Sequence, residues 1–363
     1  QALDKRWKQL GDLLVNYSLG IKPGEKVMIA MGEPQTYPLA LAVYEACIKS
    51  GAYPQVQFLS EEFNRRVLKY GSREQIDWVP EIEAYGMAWA DAYLGLRGAH
   101  NLDIFWDIPG DNLSALRHAM GKISTMRWEK TRWCLLRVPN AALAHQAAMD
   151  EQTVTDTFFN ACLLDWQKLG TEWRRWADIL GQGKYVRVVG RDTDLRFSVE
   201  GRTWAVLDGK LNMPDGEIAT APDEATIDGH IYFEFPGVLG GRLVNDICLR
   251  WEKGDLVEAV SSSNQDFLRA VINTDTGAGR IGEFAFGTNP EIKHFCRDIL
   301  LEEKIGGTVH IALGRAYPDT GGANQSAIHW DIVKDMRGGG RVYGEDRVCG
   351  GWGRWVMCSG VES

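Results

Sequence analysis

The apolar positions of the chain follow two rhythms, one after the other. In residues 4–19, Trp7, Leu10, Leu13, Leu14 and Tyr17 recur at helical intervals. A short buried strand then spans Lys26 to Ala30, the run YPLALAVYEACIKSGA reads as a helix that stops at Gly51, and PQVQFLS supplies a second strand. AWADAYLGL and TRWCLLRVP continue this order, with turn residues at PGDN (109–112) separating two of the units. Repeated strand–helix–strand units imply right-handed crossovers and a largely parallel sheet. A helix-rich segment from about 150 to 181 ends in GQGK, and the texture changes. From Tyr185 the runs are short and alternating (VRVVGRDTDLRFSVEGRTW, GHIYFEFPG, DICLRWEKGDLVEAVSS), which predicts antiparallel hairpins.

At 363 residues the chain exceeds the usual size of one hydrophobic core. The pattern therefore predicts an α/β N-terminal domain with a parallel sheet over residues 1–184. A mixed α+β C-terminal domain is predicted over 185–363, with the change near 182–186. The glycines at 338–340 and the GGWG at 350–353 read as turns of a closing hairpin. GTNP and TGAG lack the strand–GxGxxG–helix setting of a nucleotide site.

Composition narrows the partners. Apolar residues at 45% and charged residues at 25% are those of an ordinary soluble protein. The net charge of −9 disfavours nucleic acid and anionic membrane, both of which need a basic footprint. No apolar run approaches the length of a membrane span. The seven cysteines (47, 134, 162, 248, 296, 349 and 358) are scattered without a CxxC pair, against a disulfide framework and against a thiolate zinc site. Reduced thiols and a cytoplasmic location are the expectation. The 14 tryptophans read as core packing or a subunit interface.

Candidate chemistry gathers between Glu283 and Asp331. Glu283, His310, Tyr317, His329 and Asp331 can each reach a metal through oxygen or imidazole nitrogen. His329 and Asp331 lie two apart between Ile328, Trp330 and Ile332, so on a strand both project from one face. Upstream, Asn212–Glu224 (NMPDGEIATAPDE) is a proline-stiffened loop that carries Glu217 beside Ile218 and Ala219, where an acid is costly to desolvate without a cation or donor. Each residue has a plainer reading. Glu217 can be an exposed turn carboxylate, His310 a hydrogen-bonded core histidine, Tyr317 a packed turn residue, and Glu283 a cap or a partner of Arg280. Five ligating types in one glycine-rich stretch favour a metal site and leave its ligand set open.

The segments NMPDGEIATAPDE, GEFAFGTNP, EKIGGTVHIALGRAYPDTGG and NQSAIHWDIVKDMR resemble the M29 metallo-aminopeptidase family, the aminopeptidase T and S group; the opening GIKPGEKVMI resembles it too. The resemblance implies a two-metal centre of Zn, Co or Mn with Glu217, Glu283, His310, Tyr317, His329 and Asp331 as ligands. Glu283 and Tyr317 are then also candidates for a part in the reaction. It implies an aminopeptidase-type hydrolase in which a metal-activated water cleaves the amide next to a free amine of a peptide or small molecule. It also implies a homodimer. The general base is unassigned, with Asp223 and Glu224 the nearest loop acids. The interval from Tyr317 to His329 is shorter than in the T and S members, which puts peptide specificity in question more than metal binding.

A second reading comes from the edge of the same superfamily. The 2,5-dihydroxypyridine dioxygenases hold one Fe(II) with two His and one carboxylate. In that branch a His matches Glu283 and no acid matches Glu217, so both glutamates favour hydrolysis. The shorter interval leans the other way. Further rivals are a binding protein with a degraded site and a hydrolase of small amides.

Overall fold

The computed structural model describes residues 4–345, 347–351 and 354–355. Its first unit runs to Leu164 and adds Gly209–Pro214. Four parallel strands form its sheet: β1 (Lys26–Gly32), β2 (Tyr53–Leu59), β3 (Ala92–Arg97) and β4 (Arg132–Arg137), in the order β2-β1-β3-β4. Val27, Met28, Ile29 and Ala30 of β1 and Leu94, Gly95 and Leu96 of β3 are all buried, the near-continuous run of a sheet covered on both faces. The PGDN stretch opens the helix Gly110–Lys130 between β3 and β4, with Pro109 as its N-cap. Leu211 and Met213 bond to Leu135 of β4, which ties the segment 209–214 to this sheet.

The second unit takes Asp165–Asp208 and the described residues from Asp215 onward. It includes the helix Trp166–Leu180, upstream of the expected change near 182–186. That helix buries Trp166 and Trp173 edge-to-face and packs against the strand Ala205–Leu207. An amphipathic helix joins the core that its apolar face meets, so packing divides the chain earlier than the switch from helices to strands does.

Two antiparallel sheets follow. Their strands, in chain order, are β5 (Tyr185–Gly190), β6 (Thr193–Ser198), β7 (Ala205–Leu207), β8 (Glu217–Thr220), β9 (Asp228–Tyr232), β10 (Gly237–Leu239), β11 (Arg242–Val244), β12 (Cys248–Glu252) and β13 (Asp255–Val260). The series ends with β14 (Ile281–Gly287), β15 (Thr308–Gly314), β16 (His329–Asp335), β17 (Arg341–Gly344), β18 (Arg347–Gly351) and β19 (Arg354–Trp355). One sheet has the order β13-β12-β9-β6-β5-β17-β18-β19, the other β16-β15-β14-β8-β7, and β10 pairs with β11 alone. Gly338–Gly340 lies at the turn into β17; of GGWG, Gly350 and Gly351 end β18, and Trp352 and Gly353 lie outside the described residues, as does Cys358.

The five-stranded sheet has two unlike faces. On one, Ile218, Phe284, Phe286, Ile311, Leu313, Trp330 and Ile332 are all buried, and Phe284 meets Phe197 and Trp204 at ring distances of 5.1 and 6.4 Å. Each such side chain contributes on the order of 1.5–3 kcal/mol by leaving water. The other face carries the candidate ligands.

Candidate metal centre

Strand register decides which side chains meet. Glu217 of β8 stands opposite Gly287 of β14, and Ala219 opposite Ala285. Ala285 and Val333 flank His310 of β15; Glu283 and Asp331 flank Ala312; Gly314 stands opposite His329. Directly paired residues share a face. Glu217, Glu283, His310, His329 and Asp331 therefore project together, and their neighbours on that face are largely alanine and glycine. Small side chains leave the space above the sheet to the acids and imidazoles.

A β-bulge keeps one bulky residue out. The register slips between Ile281 and Glu283, so Ile281 pairs with Leu313 on the apolar face while Glu283 pairs with Ala312 on the other. Regular alternation would turn Ile281 toward the ligands. Gly282 makes the slip possible, because a Cβ there would lie 2.2 Å from the Gly314 carbonyl oxygen.

The loop before Glu217 is fastened by the GTNP turn. Gly216 (φ +131) has Asn289 N 2.8 Å from where a Cβ would stand; Thr288 N–H donates to Gly216 O at 2.9 Å, and the Asn289 side-chain amide donates to Asp215 O at 2.9 Å. Only glycine fits that approach.

Two groups of three result. Ligand atoms of Glu217, Glu283 and His310, all buried, lie within 4.8 Å of one another, and so do those of Glu283, His329 and Asp331. Glu283 belongs to both. His310 Nε2 is 3.3 Å from Glu283 Oε1 and 3.9 Å from Glu217 Oε2, and His329 Nε2 is 3.3 Å from Asp331 Oδ2. His329 Nδ1–H donates to Arg315 O at 2.7 Å, which turns Nε2 toward the acids. Tyr317 lies outside the sheet, about half exposed, with its ring 5.0 Å from that of His329.

Electrostatics describe a crowded site. Burial alone would lower His310, but the hydrogen bond to Glu283 and the charges of Glu217, Asp331 and Glu303 outweigh it and raise it to about 9. Burial likewise works against protonated His329, yet Asp331, Glu283 and the Arg315 carbonyl raise it to about 10. Burial raises Glu217 above the ordinary carboxylate range, against the pull of Lys304. The Tyr317 phenol is raised by burial and then by Glu283, Asp331 and Glu303, so it keeps its proton at neutral pH.

The residues suit divalent cations. Three carboxylates converge on two imidazoles in a buried space, and His310 Nδ1 and Asp331 Oδ1 have no hydrogen-bond partner among the described residues. Acids held this closely favour positive charge beside them, and an N/O donor set suits a divalent cation.

The alternatives also have places. Arg280 pairs with Asp255 at 2.7 Å, and Glu283 faces His310. Asp223 and Glu224 line a separate polar cavity of about 750 Å³ with Arg202, Asp275, Arg280 and Ser326. The residues that sequence reasoning passed over are Glu303 and Lys304. Lys304 is fully buried, with Nζ 2.7 Å from Glu217 Oε1 and 2.9 Å from Glu303 Oε2. In EEK the pattern is that of a solvated helix end, so the only available signal was proximity to the following GGTVH.

A family profile described as thermophilic metalloprotease (M29) matches residues 3–347. Aminopeptidase T of Thermus thermophilus is 34% identical over 39% of this chain, and that match spans only 40% of the relative's own length. Aminopeptidase 2 of Geobacillus stearothermophilus is 22% identical over 91% of this chain and 92% of that protein. Among solved structures, wild-type AmpT from Thermus thermophilus superposes with a TM-score of 0.86 at 23% identity, covering 98% of this chain and all of that one. The 2,5-dihydroxypyridine dioxygenase of Pseudomonas putida KT2440 superposes with a TM-score of 0.61 at 14% identity, over 96% of each chain. At these identities the structural likenesses establish the fold. No helix among the described residues is long and apolar enough to cross a membrane.

Proposed function

The chain belongs to the M29 family of metalloproteases, and on that premise we propose that it is an aminopeptidase-type hydrolase holding two divalent cations. The observation that carries the reading is that Glu283 belongs to both ligand groups, as a carboxylate shared by two adjacent ions would. Glu217 and His310 complete one position, His329 and Asp331 the other. Two ions of the Zn, Co or Mn type would supply a water acidified toward neutrality and would hold the oxygen of the scissile carbonyl as it gains charge.

The protein's own groups do the rest. Glu217, Glu283 and Asp331 would offset the charge of the ions. His310 and His329 must give up their protons to bind. The Tyr317 phenol stays protonated, so it can donate a hydrogen bond to a developing oxyanion. We take the assembly to be a cytoplasmic homodimer. The stripe of exposed Tyr37, Leu41, Tyr44 and Ile48 on one helix supports a second copy, and sedimentation velocity tests it.

A single Fe(II) in a ring-cleaving dioxygenase is the second reading, favoured by the shared fold alone. Its usual ligand set has two His and one carboxylate; each group here has one His and two carboxylates. Counting anomalous peaks in metal-soaked crystals separates the two. A parallel screen uses aminoacyl-p-nitroanilides, simple amides and hydroxypyridines. Two ions with nitroanilide cleavage support the proposal, and one ion with hydroxypyridine turnover refutes it.

A further inference from the structure

Lys304 is the feature that the reaction outlined above leaves unused. Its side chain has no exposure to solvent, and its backbone is tied to the neighbouring turn. The Asn289 N–H donates to Lys304 O at 3.0 Å, and Gly287 packs so closely on this turn that a Cβ would stand 2.3 Å from Ile305 O and 3.0 Å from Glu303 O. The ammonium is thus pinned against Glu217 Oε1, leaving Oε2 to face His310. No comparable cation stands against Asp331 among the described ion pairs; its Oδ2 meets His329 and its Oδ1 is without a hydrogen-bond partner.

We propose that the two cation positions are unequal and fill in order, Glu283–His329–Asp331 first and Glu217–Glu283–His310 second, because Lys304 occupies one oxygen of Glu217 and repels an ion bound at the other. The inference rests on the two-ion reading. Repulsion between like charges grows as distance falls and is little screened in a buried site. Glu303 shares the ammonium and buried Asp215 acts on it from further off, but the charge of Glu303 also reaches Asp331 and His310, so the difference is reduced and not cancelled. One position therefore holds its ion firmly, and the other exchanges it.

The test uses the full chain stripped of metal. Crystals soaked with one equivalent of Zn²⁺ should show an anomalous peak at Glu283–His329–Asp331, and excess Zn²⁺ should fill both positions. Calorimetric titration should resolve two steps at least about tenfold apart, the factor that corresponds to 1.4 kcal/mol. Lys304→Met should narrow that gap by tightening the later step, whereas Lys304→Arg should preserve it. Equal filling, reversed order, or an unchanged gap in Lys304→Met overturns the inference and leaves the two-ion reading standing. A single ion even in excess overturns both. If Lys304→Met does not fold, the one-equivalent crystals of the unaltered chain decide.

Discussion

The two faces of the five-stranded sheet use the same strands, the same alternation and nearly the same burial, yet they are built for opposite ends. One packs Phe284, Phe286, Leu313 and Trp330 into a core whose worth lies in filled volume. The other buries Glu217, Glu283 and His310 among alanines and glycines, and its worth lies in space left over. A buried acid next to a buried acid opposes folding, so the apolar face and its aromatic contacts offset the cost of the polar one. Stability and chemistry are separated by the alternation of side chains along each strand, reset on β14 by the bulge at Gly282.

That separation can be broken most sharply at Glu283 and Phe284, adjacent residues on opposite faces. Glu283→Ala should remove bound metal from both positions and lower turnover by at least about a thousandfold, more than one oxyanion donor is worth. Its circular dichroism and melting temperature should change little; retained turnover would take Glu283 out of the site. Phe284→Ala should do the reverse, with a loss of about 3–5 kcal/mol in urea denaturation and an unaltered metal content. Tyr317→Phe is smaller, a fall in kcat of about a hundredfold with metal affinity intact. A fall in metal affinity instead would make the phenol a ligand.

The gentlest probe is pH. In the folded, metal-free protein His310 and His329 hold their protons to about 9 and about 10, against 6.5 when unfolded. Their paired charges stabilise fully below pH 6.5, and that contribution drains away as pH rises through 9 and then 10. The urea midpoint of the stripped protein should drift downward across that range. Apparent metal affinity should rise over the same range as protons cease to compete. A midpoint flat from pH 6 to 10 would mean that the two imidazoles are neutral throughout.

Much of this was readable from the residues. The strand–helix repeat predicts β1 to β4, and the two-residue spacing of His329 and Asp331 predicts a shared face, because both depend on local periodicity. The partners of Glu217 were not readable, since pairing across β8, β14 and β15 is a matter of register between distant segments. Lys304 was hidden for a related reason: a lysine next to two glutamates looks solvent-facing until tertiary packing closes over it. The helix Trp166–Leu180 was expected within the domain 1–184 and instead belongs to the second unit, because amphipathic spacing says that a helix must be covered and not which core covers it.

In the proposed two-ion centre Glu283 serves both positions, and that has an evolutionary corollary. Drift at any other ligand can erode one half of the centre and leave a protein with residual capability for selection to retune. Drift here would disable both halves together, so the residue should be frozen in lineages that keep the reaction.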